Sequence, residues 1–400
     1  MSESGKSAAP HAPIPRAVWM LGFTSLFMDM STELIQSLLP LFMVSVLGAP
    51  IALVGLIDGL AEATASFTKI LSGAISDQLG KRKALALAGY GLAAISKPLF
   101  PLAQGLGAIF LARFLDRVGK GVRGAPRDAL VADIVPPESR AAAYGLRQGL
   151  DTLGALAAPL LAFALMWLFA GNFRHVFWFA CLPALLSVLT LAIGVPEPAR
   201  DIGAKRRLFP LRPSQLARLG PRFWLLIGVI LLLLLPRFSE SLLLLRASGL
   251  GLANPWVPLV LAAMNLVYAP VAAPAGRLAD RIGRYPLLFA GSAVLVAAQI
   301  LLALAGSPAL VFAGAMLWGL QYGLIQGAMS ALVADAAPKD LAGTAFGVFN
   351  LISGLAILIG SWAAGAIWDL AGAPARFFTG AAVGALGLAA LALLTRRGTT

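Results

Sequence analysis

The chain has 400 residues, 59% of them hydrophobic and only 12% charged, with a mean hydropathy of +0.85, where ordinary soluble chains carry about 25% charged residues. That composition excludes a water-soluble enzyme or binding module, and the lone Cys181 with His11 and His175 leaves neither a disulfide framework nor a histidine-rich metal site. The formal charge of +13 does not mark a nucleic-acid binder, because it gathers in alternate loops and inside apolar segments.

From the N-terminus, residues 1–16 carry Lys6 and Arg16 without an apolar core and small-residue cleavage site, so they read as a cytoplasmic tail and not as a signal peptide. Apolar runs near the length of about 20 residues that crosses a bilayer as a helix then recur at 17–47, 51–76, 84–103, 105–135, 141–169 and 174–195, and again at 222–248, 255–276, 287–305, 308–336, 341–369 and 373–395. The predicted fold is all-α, with twelve transmembrane helices. Residues 17–195 form an N-terminal six-helix bundle and 222–395 a C-terminal one, with a linker at 196–221 and a tail at 396–400.

The bases choose the orientation. Lys81, Arg82 and Lys83 lie in the loop at 77–83, seven further bases fall between 196 and 222, Arg277, Arg281 and Arg284 lie at 277–286, and Arg396 and Arg397 close the chain. The opposite loops hold little beyond Arg174, Arg246 and Arg376. The positive-inside bias therefore predicts a multi-pass inner-membrane protein with both termini in the cytoplasm, and Trp19, Trp167, Trp178, Trp224, Trp256 and Trp368 fall near span ends as an aromatic belt would.

The two halves repeat each other. The pentapeptide ALVAD occurs at 129–133 and again at 331–335, an offset of 202; Pro136 recurs as Pro338 and Tyr144-Gly145 as Phe346-Gly347. Upstream, Gly73 and Asp77 match Gly276 and Asp280 at an offset of 203. Collinear matches over this length predict two bundles of equal topology, related by a pseudo-two-fold axis along the membrane normal.

The loops carry a resemblance. GAISDQLGKRK, with Gly73, Asp77, Gly80, Lys81 and Arg82, and its counterpart GRLADRIGRYP, with Gly276, Asp280, Arg281, Gly283 and Arg284, resemble the signature loop of the major facilitator superfamily. RFLDRVGKG at 113–121 resembles that family's span-four pattern, with Arg113 kept but Asp116 and Arg117 where glutamine and glycine are common. Gly145, Gly154, Ala158 and Pro159 in span five resemble the superfamily's antiporter pattern, with Ala-Pro in place of Gly-Pro, and DRVGKGVRGAPRDALVAD at 116–133 resembles a bacterial permease subgroup. The resemblance implies a secondary transporter whose signature loops gate the passage, and whose spans one, two, four and five surround the N-half cavity.

Nine bases (Lys69, Lys97, Arg113, Arg117, Lys120, Arg123, Arg127, Arg147, Arg237) and nine acids (Asp29, Glu33, Asp58, Glu62, Asp116, Asp128, Asp133, Asp151, Glu240) fall inside predicted spans. Facing lipid, they would cost on the order of 50 kcal/mol in all, so they must face protein or water. Arg113, Asp116, Arg117, Lys120, Arg123 and Arg127 recur at helical spacing on one face of span four; Asp29, Glu33 and Gln36 share a face of span one; Asp58, Glu62, Ser66 and Lys69 share one of span two. The surplus of bases on span four calls for an anionic partner, either those acid stripes or an anionic substrate.

Proton coupling needs a carboxyl that burial and a basic neighbour can tune, for which Asp29, Glu33, Asp58 and Glu62 are candidates. Candidates for the substrate cavity are Arg113, Arg117, Lys120, Arg123 and Asp151, faced across the cavity by Gln321, Tyr322 and Gln326; Trp318, Asn265 and Tyr268 are weaker ones, and Arg237 is expected to pair with Glu240. Ion pairs that merely hold the bundle together are the competing reading of any single charge.

The expected function is a monomeric, proton-coupled transporter of a small organic solute, anionic or zwitterionic, with neither cofactor nor metal centre. The span-five pattern favours export over import of an organic anion or siderophore-like chelate. A divalent-metal transporter liganded by the four carboxyls and a lipid flippase are the other readings. A membrane enzyme lacks support: no phosphate-cradling glycine loop, His-Glu-x-x-His helix or nucleophile elbow is present.

Overall fold

A computed structural model describes residues 14–136, 139–197, 213–338 and 341–397. Most of the expected tails and linker, and the side chain of Asp77, lie outside the described residues. Every regular element among those described is helical.

In the first half, α1 (Arg16–Gln36) begins after Pro15 and breaks at Ser37 and Leu38, where α2 (Leu39–Leu41) runs on into a π-helical turn, Phe42–Val46. Pro50 opens α3 (Ile51–Leu79), which ends at Gly80 with φ 64°, a left-handed conformation that glycine adopts without steric penalty. α4 (Arg82–Ser96) and α5 (Leu99–Leu102) flank Pro98; α6 (Leu106–Ile134) and α7 (Arg140–Leu168) are single long helices; α8 (Phe173–Phe179) runs on into α9 (Cys181–Gly194).

In the second half, α10 (Pro213–Arg218) precedes α11 (Gly220–Leu234), and α12 (Ser241–Gly249) follows a non-helical stretch around Pro236. Proline there lacks the amide that would continue the ladder. α13 (Leu259–Ile282), α14 (Arg284–Leu304) and α15 (Pro308–Ala336) follow, and α16 (Ala342–Arg397) is helical throughout except at Gly372, φ 85°.

Eight helical stretches are long and apolar enough to cross a membrane, against the twelve expected from sequence. α1 and α6 have the length, but their polar content keeps them out of that set; α11, ending at Leu234 just before Pro236, is too short; and α16 runs through what the sequence divides into two spans.

Packing explains where a passage can lie. α1, α3, α4, α6, α7 and α9 pack among themselves, as do α11, α13, α14, α15 and α16, and the two sets meet along α3 against α16 and α7 against α13. At one end a single apolar core joins both sets: Leu34, Phe42, Phe100 and Phe177 with Phe238, Trp318 and Phe377. At the other end, which carries Gly80 and Gly283, the cores are separate, one around Val18, Tyr90 and Leu191 and the other around Phe223, Val333 and Leu391. The halves are therefore fused at the end far from the basic loops and parted at the end that bears them.

Candidate functional site: the charged central cavity

The fused end is sealed by backbone contact. A side chain on Gly59 would come within 2.7 Å of Leu358 Cα, and one on Gly55 would overlap the Ser361 carbonyl, so only glycine lets α3 lie this close to α16. Across the same seam, Asp369 accepts from the free amides of Ile51 (3.0 Å) and Ala52 (2.8 Å) at the start of α3, where a carboxylate satisfies two orphan donors and complements the helix dipole.

Below that seal, the charge stripes of α1, α3 and α6 meet as pairs. Arg113 donates to Asp58 at 2.6 Å and to Gln36 at 3.1 Å; Arg117 donates to Gln36 at 2.6 Å and pairs with Glu62 at 3.0 Å. Lys97, wholly buried, pairs with Asp116 at 2.8 Å and donates to Thr32 at 2.9 Å. Arg123 lies 3.4 Å from Asp29 and stacks on Tyr90, 4.7 Å from the ring centroid. Arg127 donates to Asp128 at 3.2 Å and lies 3.7 Å from Asp151, which Arg147 also approaches at 3.8 Å. The surplus on α6 is thus taken up largely by the acid stripes.

What pairing leaves over lines the space between the halves. A cavity of about 650 Å³ is bounded by Glu33, Glu62, Arg113, Arg117 and Lys120 from the first half and by Arg237, Ser239, Glu240, Tyr322 and Ile357 from the second. Among the described residues, Glu33, Lys120 and Glu240 make no ion pair, and Arg237 has none either but stacks on Tyr322 at 4.1 Å. Two further spaces share residues with this one: about 850 Å³ around Asp29, Lys69, Arg127 and Asp151, and about 700 Å³ around Gln326, Phe349, Asn350 and Ser353. The three run toward the end where the cores are parted.

The sequence candidates are thus placed as follows. Arg113, Arg117, Lys120 and Tyr322 line the first space, Arg123 and Asp151 the second, and Gln326 the third. Gln321 is wholly buried outside these linings with both amide atoms unpartnered, and Trp318 packs on Phe238 at 4.8 Å. Of the carboxyls, Asp29, Asp58 and Glu62 are in ion pairs and Glu33 is not. Asn265 donates to the Ala155 carbonyl at 3.4 Å across the α7–α13 seam, and Tyr268 stands edge-on to Tyr322.

Two expectations are corrected. Arg237 and Glu240 do not form an ion pair, because residues 235–240 are not helical and the three-residue spacing no longer places them on one face. Arg376 is no loop residue: it is 2% exposed inside α16. Arg174 and Arg246, also assigned to loops, instead donate to carbonyls at helix ends, Pro101 for the first and Leu302, Ala303 and Ala305 for the second.

Sequence reasoning passed over Ser239 and Ser241, which both donate to Asp58 Oδ2, Ser239 at 2.7 Å. The signal was their position beside Glu240, directly after a helix-breaking Pro236. Asn350 and Ser353 also escaped notice, although they are polar points in an otherwise apolar run.

The signature loops explain the sequence repeat. Arg82 Nη1 donates to the Ala129 carbonyl at 2.8 Å and to Asp133 Oδ2 at 2.7 Å; Arg284 Nη1 donates to the Ala331 carbonyl at 3.2 Å and pairs with Asp335. All three positions are offset by 202, so the first and last residues of ALVAD are the carbonyl and the carboxylate that hold this arginine. The offset changes from 203 to 202 inside the loop itself, where Gly80-Lys81 separates α3 from α4 but Gly283 alone separates α13 from α14.

A helical membrane fold with two charge-lined sets of helices, joined at one end and parted at the other, defines a membrane transporter and not an enzyme. Comparison with known proteins names the family: the model of the Major Facilitator Superfamily matches residues 21–361 and 238–400, and the chain belongs to that superfamily. An uncharacterised MFS-type transporter of Methanocaldococcus jannaschii is 30% identical over 366 residues, covering 89% of each chain. The multidrug resistance protein MdtH of Aeromonas hydrophila is 28% identical over 158 residues, 40% of this chain and 39% of that one. Among solved structures, a bacterial homologue of the human lysosomal transporter Spinster, inward-facing and occupied, superposes with a TM-score of 0.76 at 19% identity over 95% of this chain and 96% of that one. A peptide transporter with bound sulfate gives a TM-score of 0.78 at 16% identity over 98% and 96%. At such identities these two likenesses speak for the fold alone.

Proposed function

We propose that the chain is a secondary active transporter that moves a small zwitterionic or anionic organic solute by alternating access. It would do so with twelve spans in two six-helix bundles: the eight apolar stretches, α1, α6, the broken α11–α12 pair and the part of α16 beyond Gly372. Both termini and the basic loops are assigned to the cytoplasm, which makes the described conformation open to the inside. The observation that carries the substrate class is the set of charges left over by pairing: Glu33 and Glu240 with Lys120 and Arg237 around one cavity between the halves. Two bases and two acids, unpaired and able to reach a solute from opposite sides, suit a ligand that carries both signs or a carboxylate beside a donor.

Glu33 is the proton carrier in this reading, because it is the one sequence-selected carboxyl outside an ion pair and its protonation would alter the charge that the solute meets. Export is favoured over import by the span-five pattern and by partial likeness to a multidrug resistance protein. Divalent-metal transport fits less well, since bases interleave with every carboxyl that would ligate the ion. Flux into and out of proteoliposomes under an imposed pH gradient, with a panel of zwitterions and organic anions, tests the proposal. Flux of such a solute that collapses with a protonophore supports it; stabilisation and flux confined to divalent metals overturn it.

A further inference from the structure

A second cationic site lies away from the passage, on the far side of α16. Ile357 lines the central cavity, whereas Ile359, two residues on and so nearly opposite on the helix, is 52% exposed and lines a separate crevice of about 460 Å³. That crevice runs between the end of α11, at Leu235 and Pro236, and the two parts of α16, at Ile359, Gly360, Thr379 and Val383. Its walls are apolar save for Thr379 and one ion, Arg376.

Arg376 is poorly satisfied by the protein. It is 2% exposed, and its Nη1 donates to Gln299 Oε1 at 3.2 Å, an amide whose nitrogen is itself spent on the Pro236 carbonyl at 2.8 Å. The guanidinium lies 3.1 Å from the Phe238 centroid and 5.1 Å from that of Phe377, yet its Nε has no partner and no carboxylate pairs with it among the described residues. An arginine stripped of water and left without a counter-ion is costly, and the stacked rings offset only part of that cost. An anion arriving through the apolar slot would supply the missing partner.

Depth and shape narrow the choice. Arg376 stands in the first turn after the break at Gly372, where the twelve-span reading proposed above has a span start at the membrane surface, and the crevice continues from there past Thr379 and Val383, roughly 10 Å along the helix at 1.5 Å per residue. We infer that this crevice binds an acidic phospholipid from the bilayer, its phosphate on Arg376 and an acyl chain along Thr379, Gly380 and Val383. Phosphate suits a guanidinium better than it suits any other side chain in the slot. Because the guanidinium rests on Phe238, between Arg237 of the cavity wall and Ser239 on Asp58, the lipid would brace the non-helical stretch at the sealed end.

The test is thermal stabilisation of the purified full chain in neutral detergent, titrated separately with phosphatidylglycerol, phosphatidylcholine, oleate and inorganic phosphate. Phosphatidylglycerol should raise the melting temperature by roughly 5 °C at saturation, with little effect from the other three. Arg376→Gln should lose that response and Arg376→Lys should keep part of it. Thr379→Trp, which fills the slot and leaves the guanidinium in place, should also lose it, and so decides the matter if Arg376→Gln fails to fold. Equal stabilisation by phosphatidylcholine, by oleate or by inorganic phosphate, or an undiminished response in Thr379→Trp, overturns the assignment. None of these outcomes depends on what the central cavity carries.

Discussion

Ser239 donates to Asp58 Oδ2 at 2.7 Å across 181 residues of chain, while Asp58 Oδ1 accepts Arg113 at 2.6 Å. One buried carboxylate therefore holds both an ion pair within the first half and, with Ser241 donating to the same oxygen, two hydrogen bonds to the second. Its two functions should separate by mutation. Asp58→Ala strands Arg113 without a counter-ion and should cost roughly 3–5 kcal/mol, seen as a large fall in melting temperature in detergent. Ser239→Ala removes one of the two serine hydrogen bonds that reach Asp58 from the second half, with Ser241 still donating, together with the acceptor of the Ser241 amide; it should cost roughly 1–2 kcal/mol, well short of Asp58→Ala, while it loosens the seal. Equal melts for the two variants would contradict this division.

Asp369 and the glycine seam make the seal itself testable. Asp369→Asn keeps the shape but leaves one acceptor oxygen for the two amides of Ile51 and Ala52, a loss of at least about 1 kcal/mol, which shifts a two-state equilibrium by roughly fivefold. In a Cys181→Ser background with Ala49→Cys as a reporter, 5% exposed in the sealed form, maleimide labelling from the side of the fused end should quicken by that factor. Gly59→Leu, which puts a side chain where Leu358 Cα stands, should quicken it further; unchanged labelling in both variants would mean that the seam does not govern closure.

The sequence disclosed more of the first half's chemistry than of its partnerships. Period alone placed Arg113, Arg117, Lys120, Arg123 and Arg127 on one face of α6, because a helix fixes which residues share a side. Which acid each would meet depends on how α1, α3 and α6 are rotated against one another, and no pattern within one helix encodes that. Ser239 and Ser241 were hidden for a related reason: they reach Asp58 only because Pro236 interrupts the helix. Arg376 counts among the bases of the opposite loops when only the sequence is read, but helix resumes directly after Gly372 and carries the arginine inside. The ALVAD repeat, legible as a repeat, acquired its physical cause only when Arg82 and Arg284 were seen on equivalent carboxylates.

Lys120 and Arg117 are neighbours on α6 with opposite commitments. Arg117 is 1% exposed and bound to Glu62 and Gln36, whereas Lys120 faces the cavity without an ion pair among the described residues. Arg117→Gln should therefore destabilise by roughly 3–5 kcal/mol. Lys120→Gln should leave the melt within about 0.5 kcal/mol of wild type and weaken solute binding by roughly tenfold or more, the loss of one charge-assisted hydrogen bond. Isothermal titration beside thermal melts distinguishes the two, and a Lys120→Gln protein that binds its solute as tightly as wild type would remove Lys120 from the site.

The matched loop pairs should behave alike because they are built alike. Arg82→Glu opposes Asp133 with a like charge and takes a donor from the Ala129 carbonyl; Arg284→Glu does the same to Asp335 and Ala331. Both pairs clamp the start of a helix after a signature loop to the end of the next long helix in the chain, at the end where the cores are parted, so neither lies within the fused seal. Each single reversal should lower transport several-fold. Each double reversal, Arg82→Glu with Asp133→Arg or Arg284→Glu with Asp335→Arg, should recover part of it, since the ion pair returns with its signs exchanged while the bond to the helix-end carbonyl stays lost. A double-mutant cycle in vesicle flux measures that recovery as a coupling of about 1 kcal/mol in each half. Coupling in one half and none in the other would show that the duplicated residues have parted in use, with one pair working as a latch and its counterpart kept only as a turn.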